Sequence, residues 1–145
     1  MRLSIRILRS GIAGAAFGLC ASICDAQLVV IVSANSPVTA LSENQVADIY
    51  LGRSSRLPGG TEVQPIDLAD DAANRASFYR IVCGKSPAQL RSYWSKLIFT
   101  GEGQPPREVA DAEAMKKLVA SGTHVIGYID KAQLDASVKP VLALR

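Results

Sequence analysis

Residues 28–33, LVVIVS, and residues 41–52, LSENQVADIYLG, carry the clearest structural signals in this sequence. The first is a short apolar run rich in β-branched residues, which predicts a buried strand of the kind found in parallel sheets. In the second, Ser42 and Gln45 have the spacing of a capping box, and Gly52 follows the apolar positions as a helix stop. A buried strand followed by a capped helix is typical of α/β proteins.

The rest of the chain continues this alternation of strands and helices. We therefore predict an α/β domain, with helices on both faces of a mostly parallel sheet. Polar segments at 52–60 and 100–107 are predicted loops. Further helices are predicted after capping side chains, from Asp70 or Asp71 to Gly84, from Ser86 onward, and from Asp111 to Gly122. Further strands are predicted at 62–67, 124–129 and 138–144, the first at an edge because of Pro65.

The first 26 residues have the order of a secretory signal peptide. Three arginines precede an apolar stretch from Gly11 to Cys20, and small residues follow up to Ala26. The apolar stretch is shorter than the roughly 20 residues of a membrane-spanning helix. We expect export to the periplasm, cleavage after Ala26, a single domain over 27–145 and no stable membrane insertion afterwards. An uncleaved N-terminal anchor is the alternative.

The charge balance changes once this segment is set aside. Three of the 16 basic and one of the 13 acidic residues precede Gln27, which leaves 13 against 12. A chain so close to neutral gives no electrostatic reason to expect a nucleic acid as partner. Only Cys83 remains, at the end of an apolar run, so it is expected to be a buried hydrophobe, with a reactive thiol as the alternative.

The usual constellations of an enzyme are missing from the sequence. There is one histidine, His124, so a metal site built on paired histidines is excluded. Gly84-Lys85-Ser86 follows a predicted helix and lacks the first glycine of a phosphate-binding loop. Asp67, Asp70 and Asp71 form a small acidic cluster, but a cation such as Ca²⁺ needs more oxygen ligands, and helix capping is the simpler interpretation of Asp70 or Asp71. We expect no catalytic residue, no metal and no cofactor, and we expect Trp94 to be a core residue.

Three blocks of the sequence resemble short exported proteins that are similar to the phosphate-binding component of ABC transporters. The blocks are Leu41–Gly52, the stretch from Phe78 through Trp94-Ser-Lys-Leu-Ile-Phe-Thr-Gly to Pro106, and Val125-Ile-Gly-Tyr-Ile-Asp130. The resemblance implies a type II periplasmic-binding-protein fold. It also implies a phosphate site between two lobes, formed by hydroxyl groups, helix N-terminal N–H groups, an arginine and an aspartate.

The sequence departs from that family in two respects. The 119 residues after Ala26 suffice for a single lobe, so a cleft would need a partner to complete it. The Ser-Gly-Thr type of helix start that the resemblance implies is replaced by Asp70-Asp71-Ala72-Ala73, with Asp67 before it. Carboxylates at this place would cap the helix and repel phosphate.

Two functions remain open on the sequence alone. The first is a solute-binding module for phosphate or another small oxyanion. The second is a ligand-free interaction or sensory module that docks on an envelope transporter or sensor protein. Arg75 is either an anion ligand or a solvated helix residue. The candidate ligand-binding residues are Asn35, Ser36, Asp70, Arg75, Thr100 and Gly101.

Overall fold

A five-stranded sheet with helices on both faces makes up residues 27–145, which are the residues described by the computed structural model. The predicted signal peptide, residues 1–26, lies outside the described residues. Within residues 27–145, no helix has both the length and the apolar character needed to cross a bilayer. The strands are β1 (Leu28–Ser33), β2 (Gln64–Leu68), β3 (Arg107–Val109), β4 (Val125–Asp130) and β5 (Val138–Ala143); the helices are α1 (Glu43–Tyr50), α2 (Ala73–Cys83), α3 (Pro87–Thr100) and α4 (Ala112–Ala120), with a 3₁₀ turn at Lys131–Gln133.

The strand order in the sheet is β3-β2-β4-β1-β5. β2 runs parallel to both of its neighbours, whereas β1 runs antiparallel to both β4 and β5. The predicted single α/β lobe is therefore confirmed, and its sheet is mixed where the sequence favoured a mostly parallel one. The direction of β1 has a consequence for function, since the carboxyl ends of β1 and β2 lie at opposite ends of the sheet.

Capping side chains begin three of the four helices as the sequence predicts. Ser42 accepts a hydrogen bond from the N–H of Gln45 at 3.2 Å, and the Gln45 side chain accepts from the Ser42 N–H at 2.9 Å. Ser86 and Gln89 repeat this reciprocal pair at the start of α3. Asp111 accepts from the N–H three residues on, at 2.8 Å, at the start of α4. These caps satisfy N–H groups that a helix cannot satisfy internally.

Three local expectations are wrong. Neither Asp70 nor Asp71 caps α2, because the N-cap residue is Ala72 and no side chain accepts from the first turn. β2 is an interior strand, and Pro65 is tolerated there because β3 pairs only with residues 66–68. β3 itself begins within the segment predicted as a loop, as a strand of three residues that is too short to show a periodic pattern.

The two faces of the sheet are covered by different helices. Gly127 of β4 faces α4, since a Cβ placed on it would lie 2.8 Å from a Val119 methyl group and 2.9 Å from the Met115 sulfur. Tyr128 is the next residue and so points to the opposite face, where its ring stacks on Phe78 of α2 with centroids 3.9 Å apart. The Tyr50 ring of α1 lies 4.6 Å from Phe78, so α1 shares that face with α2.

Replacing Gly127 with alanine should destabilise the fold by about 1–3 kcal/mol, the usual cost of overpacking a core. The added methyl group would force Met115 and Val119 of α4 away from the sheet. Urea unfolding followed by circular dichroism measures the effect. Gly103→Ala is the matched control, because its Cβ would meet nothing closer than 3.7 Å. Equal stability of the two variants would show that α4 does not pack tightly on β4.

Candidate functional site

Asp67 lies near the carboxyl end of β2 and is the centre of a buried polar cluster. Asp67 is only 1% exposed. One carboxylate oxygen accepts from the Tyr128 hydroxyl at 2.5 Å and from the Leu68 N–H at 2.8 Å. The other accepts from the Tyr79 hydroxyl at 2.7 Å and from Arg75 Nε at 3.1 Å. Four donors satisfy this carboxylate, so its burial is compensated by neighbouring groups.

Arg75 is enclosed between two carboxylates. It is 6% exposed, and beside the bond to Asp67 its Nη1 donates to Asp70 Oδ1 at 2.6 Å. Its guanidinium carbon also lies 5.2 Å from the centre of the Tyr79 ring. Burial by itself would lower the pKa of Arg75, but the charge and hydrogen bond of Asp67 outweigh it and raise the pKa. The alternative that Arg75 is a solvated helix residue is therefore wrong.

The two tyrosines of the cluster are hydrogen-bond donors. Burial first, and then the charge of Asp67, raise the pKa of both Tyr79 and Tyr128 well above the ordinary value. Their hydroxyl groups therefore keep their protons around neutral pH and donate them to Asp67. A phenolate able to act as a base is not available here.

The start of α2 lies beside this cluster and has no side-chain cap. Asp70 is half-exposed and makes ion pairs with Arg75 and, at 3.7 Å, with Nη1 of Arg91 from α3. Its carboxylate is thus directed to two arginines and does not accept from the N–H groups of α2. A helix start of this kind keeps donors and partial positive charge that an anion could use.

The other predicted ligand residues lie elsewhere. Asn35 and Ser36 follow β1, so they are at the end of the sheet opposite to Asp70, and the length of β1 alone separates the two ends by about 16 Å. Ser36 is 4% exposed, and its hydroxyl accepts from the Val38 N–H at 3.2 Å. Its local role is to hold the turn after β1.

Thr100 and Gly101 end α3. The Thr100 hydroxyl donates to the Lys96 carbonyl at 3.0 Å, and Gly101 has the positive φ of 73° that a helix C-cap requires. The segment that follows leads into β3, which starts beside Ile66 in the middle of β2. Of the six candidate residues, the structure brings together only Asp70 and Arg75.

Four residues of the cluster were not among the six candidate ligand-binding residues: Asp67, Tyr79, Arg91 and Tyr128. Tyr79 and Tyr128 lie in apolar runs and carry no local signal for a polar role, and Arg91 stands on a predicted helix. Side chains along β4 alternate between the two faces of the sheet. This alternation could have indicated that Tyr128 lies on the face that also meets Tyr79. The register between β2 and β4, which brings Asp67 to Tyr128, has no such signal.

Trp94 has the environment that the sequence predicts, whereas Cys83 packs against the core but is only partly buried. Burial raises the pKa of Cys83 to about 11, against smaller opposing effects of Lys85 and Arg53, so the thiol stays protonated at neutral pH. Trp94 is 5% exposed and packs in the core. Its indole Nε1 is buried without a hydrogen-bond partner among the described residues. Within residues 27–145, no group of three or more histidine, cysteine, aspartate or glutamate side chains could hold a metal ion.

Comparison with known proteins gives a consistent result for the fold. No protein-family model matches the chain, and no curated protein matches it in sequence. Among solved structures, an ABC-type phosphate transport receptor from Vibrio cholerae matches with a TM-score of 0.63 and 22% identity. A protein from Clostridium perfringens, assigned as a phosphate ABC transporter substrate-binding protein and solved with bound phosphate, matches with a TM-score of 0.62 and 24% identity.

The chain has the fold of these substrate-binding proteins. Each match covers 80% of this chain but only 46% of the Vibrio protein and 45% of the Clostridium protein. A third structure, PstS from Borrelia burgdorferi, matches with a TM-score of 0.53 and 17% identity over 73% of this chain and 42% of that protein. The chain thus spans less than half the length of the structures it matches. At these identities the likeness concerns the fold.

Proposed function

We propose that the chain is an exported, non-enzymatic module with a substrate-binding-protein fold, which works by contact with a protein of the bacterial envelope and does not hold phosphate tightly by itself. The observation that carries the proposal is the buried pair of Asp67 and Arg75. The arginine nearest to the start of α2 already binds two carboxylates. An incoming anion would have to displace one of them.

The charges around the start of α2 also oppose a tightly bound anion. Asp67, Asp70 and Asp71 supply three negative charges, against two positive charges from Arg75 and Arg91. Water and salt screen the exposed members of this group only in part, because they lie within a Debye length of one another. An anion placed there would also be open to water, so each hydrogen bond to it would replace one to water and contribute little net free energy.

A second function, weak binding of a small oxyanion, is favoured by one specific observation. No side chain caps α2, so its first N–H groups are not occupied by a carboxylate or hydroxyl. The fold matches proteins whose names give phosphate as their ligand. Phosphate is therefore the first anion to test, and Asp70 and Arg75 are the residues of the candidate set that would meet it.

Phosphate should give feeble or no heat when titrated calorimetrically into the full chain at neutral pH and moderate salt. The double variant Asp70→Ser/Asp71→Gly should gain measurable binding. It removes two negative charges and leaves Nη1 of Arg75 and Nη1 of Arg91 without their carboxylate partner. Asp48→Ser is the control for loss of a carboxylate elsewhere, because Asp48 on α1 is half-exposed and pairs with Arg53 in the loop that follows α1.

Sub-micromolar binding of phosphate by the unmodified chain, lost on replacement of Asp70, would contradict the proposal. Asp70 would then serve as an acceptor for a protonated phosphate oxygen, and the transporter-like function would be the correct one. A gain of binding in the Asp48 variant equal to that in the double variant would show that only net charge matters.

The surface that supports contact with a protein lies at the end of α3. Ile98 is 55% exposed and Phe99 is 92% exposed, and they are the only large apolar side chains exposed among residues 27–145. Burying an exposed phenylalanine side chain in a contact with another protein would be favourable by about 1.5–3 kcal/mol. Aromatic side chains are also enriched where proteins bind one another.

Photocrosslinking in living bacteria tests this surface. The full chain should form a discrete crosslinked adduct when a photoreactive phenylalanine analogue replaces Phe99, and none when it replaces Lys117. Lys117 is exposed on α4, which covers the face of the sheet opposite to α1 and α2. Export is tested on the same preparation, since cleavage after Ala26 should give a purified chain whose intact mass corresponds to a protein that begins at or near Gln27. No adduct at position 99, or equal adducts at both positions, would count against the contact proposal.

A further inference from the structure

A groove, distinct from the Asp67 cluster, lies between α2 and the ends of the strands β1 and β5. Its volume is about 660 Å³, within the roughly 300–1,000 Å³ that small-molecule sites occupy. Leu28 at the start of β1 and Leu144 after β5 form its apolar floor, joined by a backbone hydrogen bond of 2.9 Å from the Leu144 N–H to the Leu28 carbonyl.

One face of α2 forms the wall of this groove. Ser77, Arg80 and Ile81 have the spacing i, i+3 and i+4, which places them together on one side of a helix. The buried residues of α2, such as Phe78 and Val82, point to the sheet, so this wall is a separate, flanking face. It combines an apolar side chain, a hydroxyl group and a guanidinium group.

Two of the side chains that line the groove are positively charged, and none of the described lining side chains is a carboxylate. Arg80 from α2 and Arg145 after β5 both line it, and both are exposed. Neither makes an ion pair with another side chain of residues 27–145. Two arginines beside an apolar floor of Leu28 and Leu144 provide what an anion with an apolar tail would need.

We propose that this groove binds an amphipathic carboxylate, with the carboxylate at Arg80 and Arg145 and the aliphatic chain on Leu28, Ile81 and Leu144. Inorganic phosphate suits the groove poorly, because it has no apolar part to cover the floor. A neutral alcohol of the same chain length would cover the floor but would leave the arginines without a partner. The head group and the tail are therefore both required.

Octanoate is the probe, titrated into the ¹⁵N-labelled full chain and followed through amide chemical shifts. We expect saturable shifts at Ser77, Arg80, Ile81 and Leu144. Hexanoate should bind more weakly by about fourfold per missing methylene group that is buried. 1-Octanol should bind more weakly than octanoate, and phosphate should leave these amides unmoved.

Arg80→Gln should weaken the binding of octanoate by about two- to fivefold, the range of an exposed ion pair. The binding of 1-octanol should stay unchanged. Arg80 is exposed, so the variant should fold, which its circular dichroism spectrum verifies. Arg107→Gln, another exposed arginine, on β3, is the matched control and should leave octanoate binding unchanged. The proposal is overturned if octanoate gives no saturable shifts at the groove, or if the two variants weaken it equally.

Discussion

Replacing Asp67 with asparagine should lower the free energy of unfolding by about 3–5 kcal/mol, the usual effect of removing one partner of a buried ion pair. The carboxylate accepts four hydrogen bonds, and the asparagine amide can accept at only one of its two positions. Its NH₂ group would face donors. Arg75 would keep only the half-exposed Asp70 as a carboxylate partner.

Urea unfolding followed by circular dichroism measures this effect. Asp71→Asn is the matched control, because Asp71 is exposed and a surface substitution is expected to stay within about 0.5 kcal/mol. If Asp67→Asn is as stable as the control, the cluster does not hold β2, α2 and β4 together. Its arginine would then be available for a ligand, contrary to the proposed function.

The helices were predictable from the sequence because their start signals are local. The pairs Ser42–Gln45 and Ser86–Gln89 act over three residues, and each forms in the structure as its spacing predicts. The missing cap of α2 was not predictable in this way. Asp70 turns to Arg75 and Arg91, and the second of these lies on another helix. Competition between a local cap and a tertiary ion pair cannot be decided from spacing alone.

The direction of β1 was the part of the fold that the sequence could not give. An apolar strand such as LVVIVS suits either a parallel or an antiparallel neighbour when both of its faces are buried. Its partners are β4 and β5, which follow about a hundred residues later in the chain. Leu28, for example, lies opposite Asp130. Because β1 runs antiparallel, Asn35 and Ser36 cannot join Asp70 in one small site.

The candidate site was predictable only as an acidic segment with one arginine. Asp67, Asp70 and Asp71 form one acidic cluster in the sequence, yet Asp67 is 1% exposed and the side chain of Asp70 is 53% exposed. The difference comes from Tyr128, which lies 61 residues away in sequence and reaches Asp67 through the pairing of β2 with β4. Asp67 lies in a strand, as the sequence predicts, but its role as a buried hydrogen-bond acceptor has no local signal.

Trp94→Ala should cost roughly 3–5 kcal/mol of stability, the range for a large aromatic residue of the core. Trp94 is 5% exposed and fills the space between α3 and the ends of two loops. Its benzene ring lies close to Gly52, where an added Cβ would be 3.4 Å from Cη2, and close to Gly103. Truncation would leave a cavity that these two loops cannot easily close.

Trp94→Phe separates packing from hydrogen bonding. Nε1 has no partner among the described residues, so removing it loses no bond and relieves a buried, unsatisfied donor. We expect this variant to cost about 1–2 kcal/mol, well below the alanine variant and within the range of ordinary substitutions. Circular dichroism must follow the unfolding, because the chain has a single tryptophan and both variants lose its fluorescence. Ser95→Ala, exposed on the same helix, is the control. If phenylalanine costs as much as alanine, Nε1 makes an essential hydrogen bond, for example to a bound water, and Trp94 is more than a packing residue.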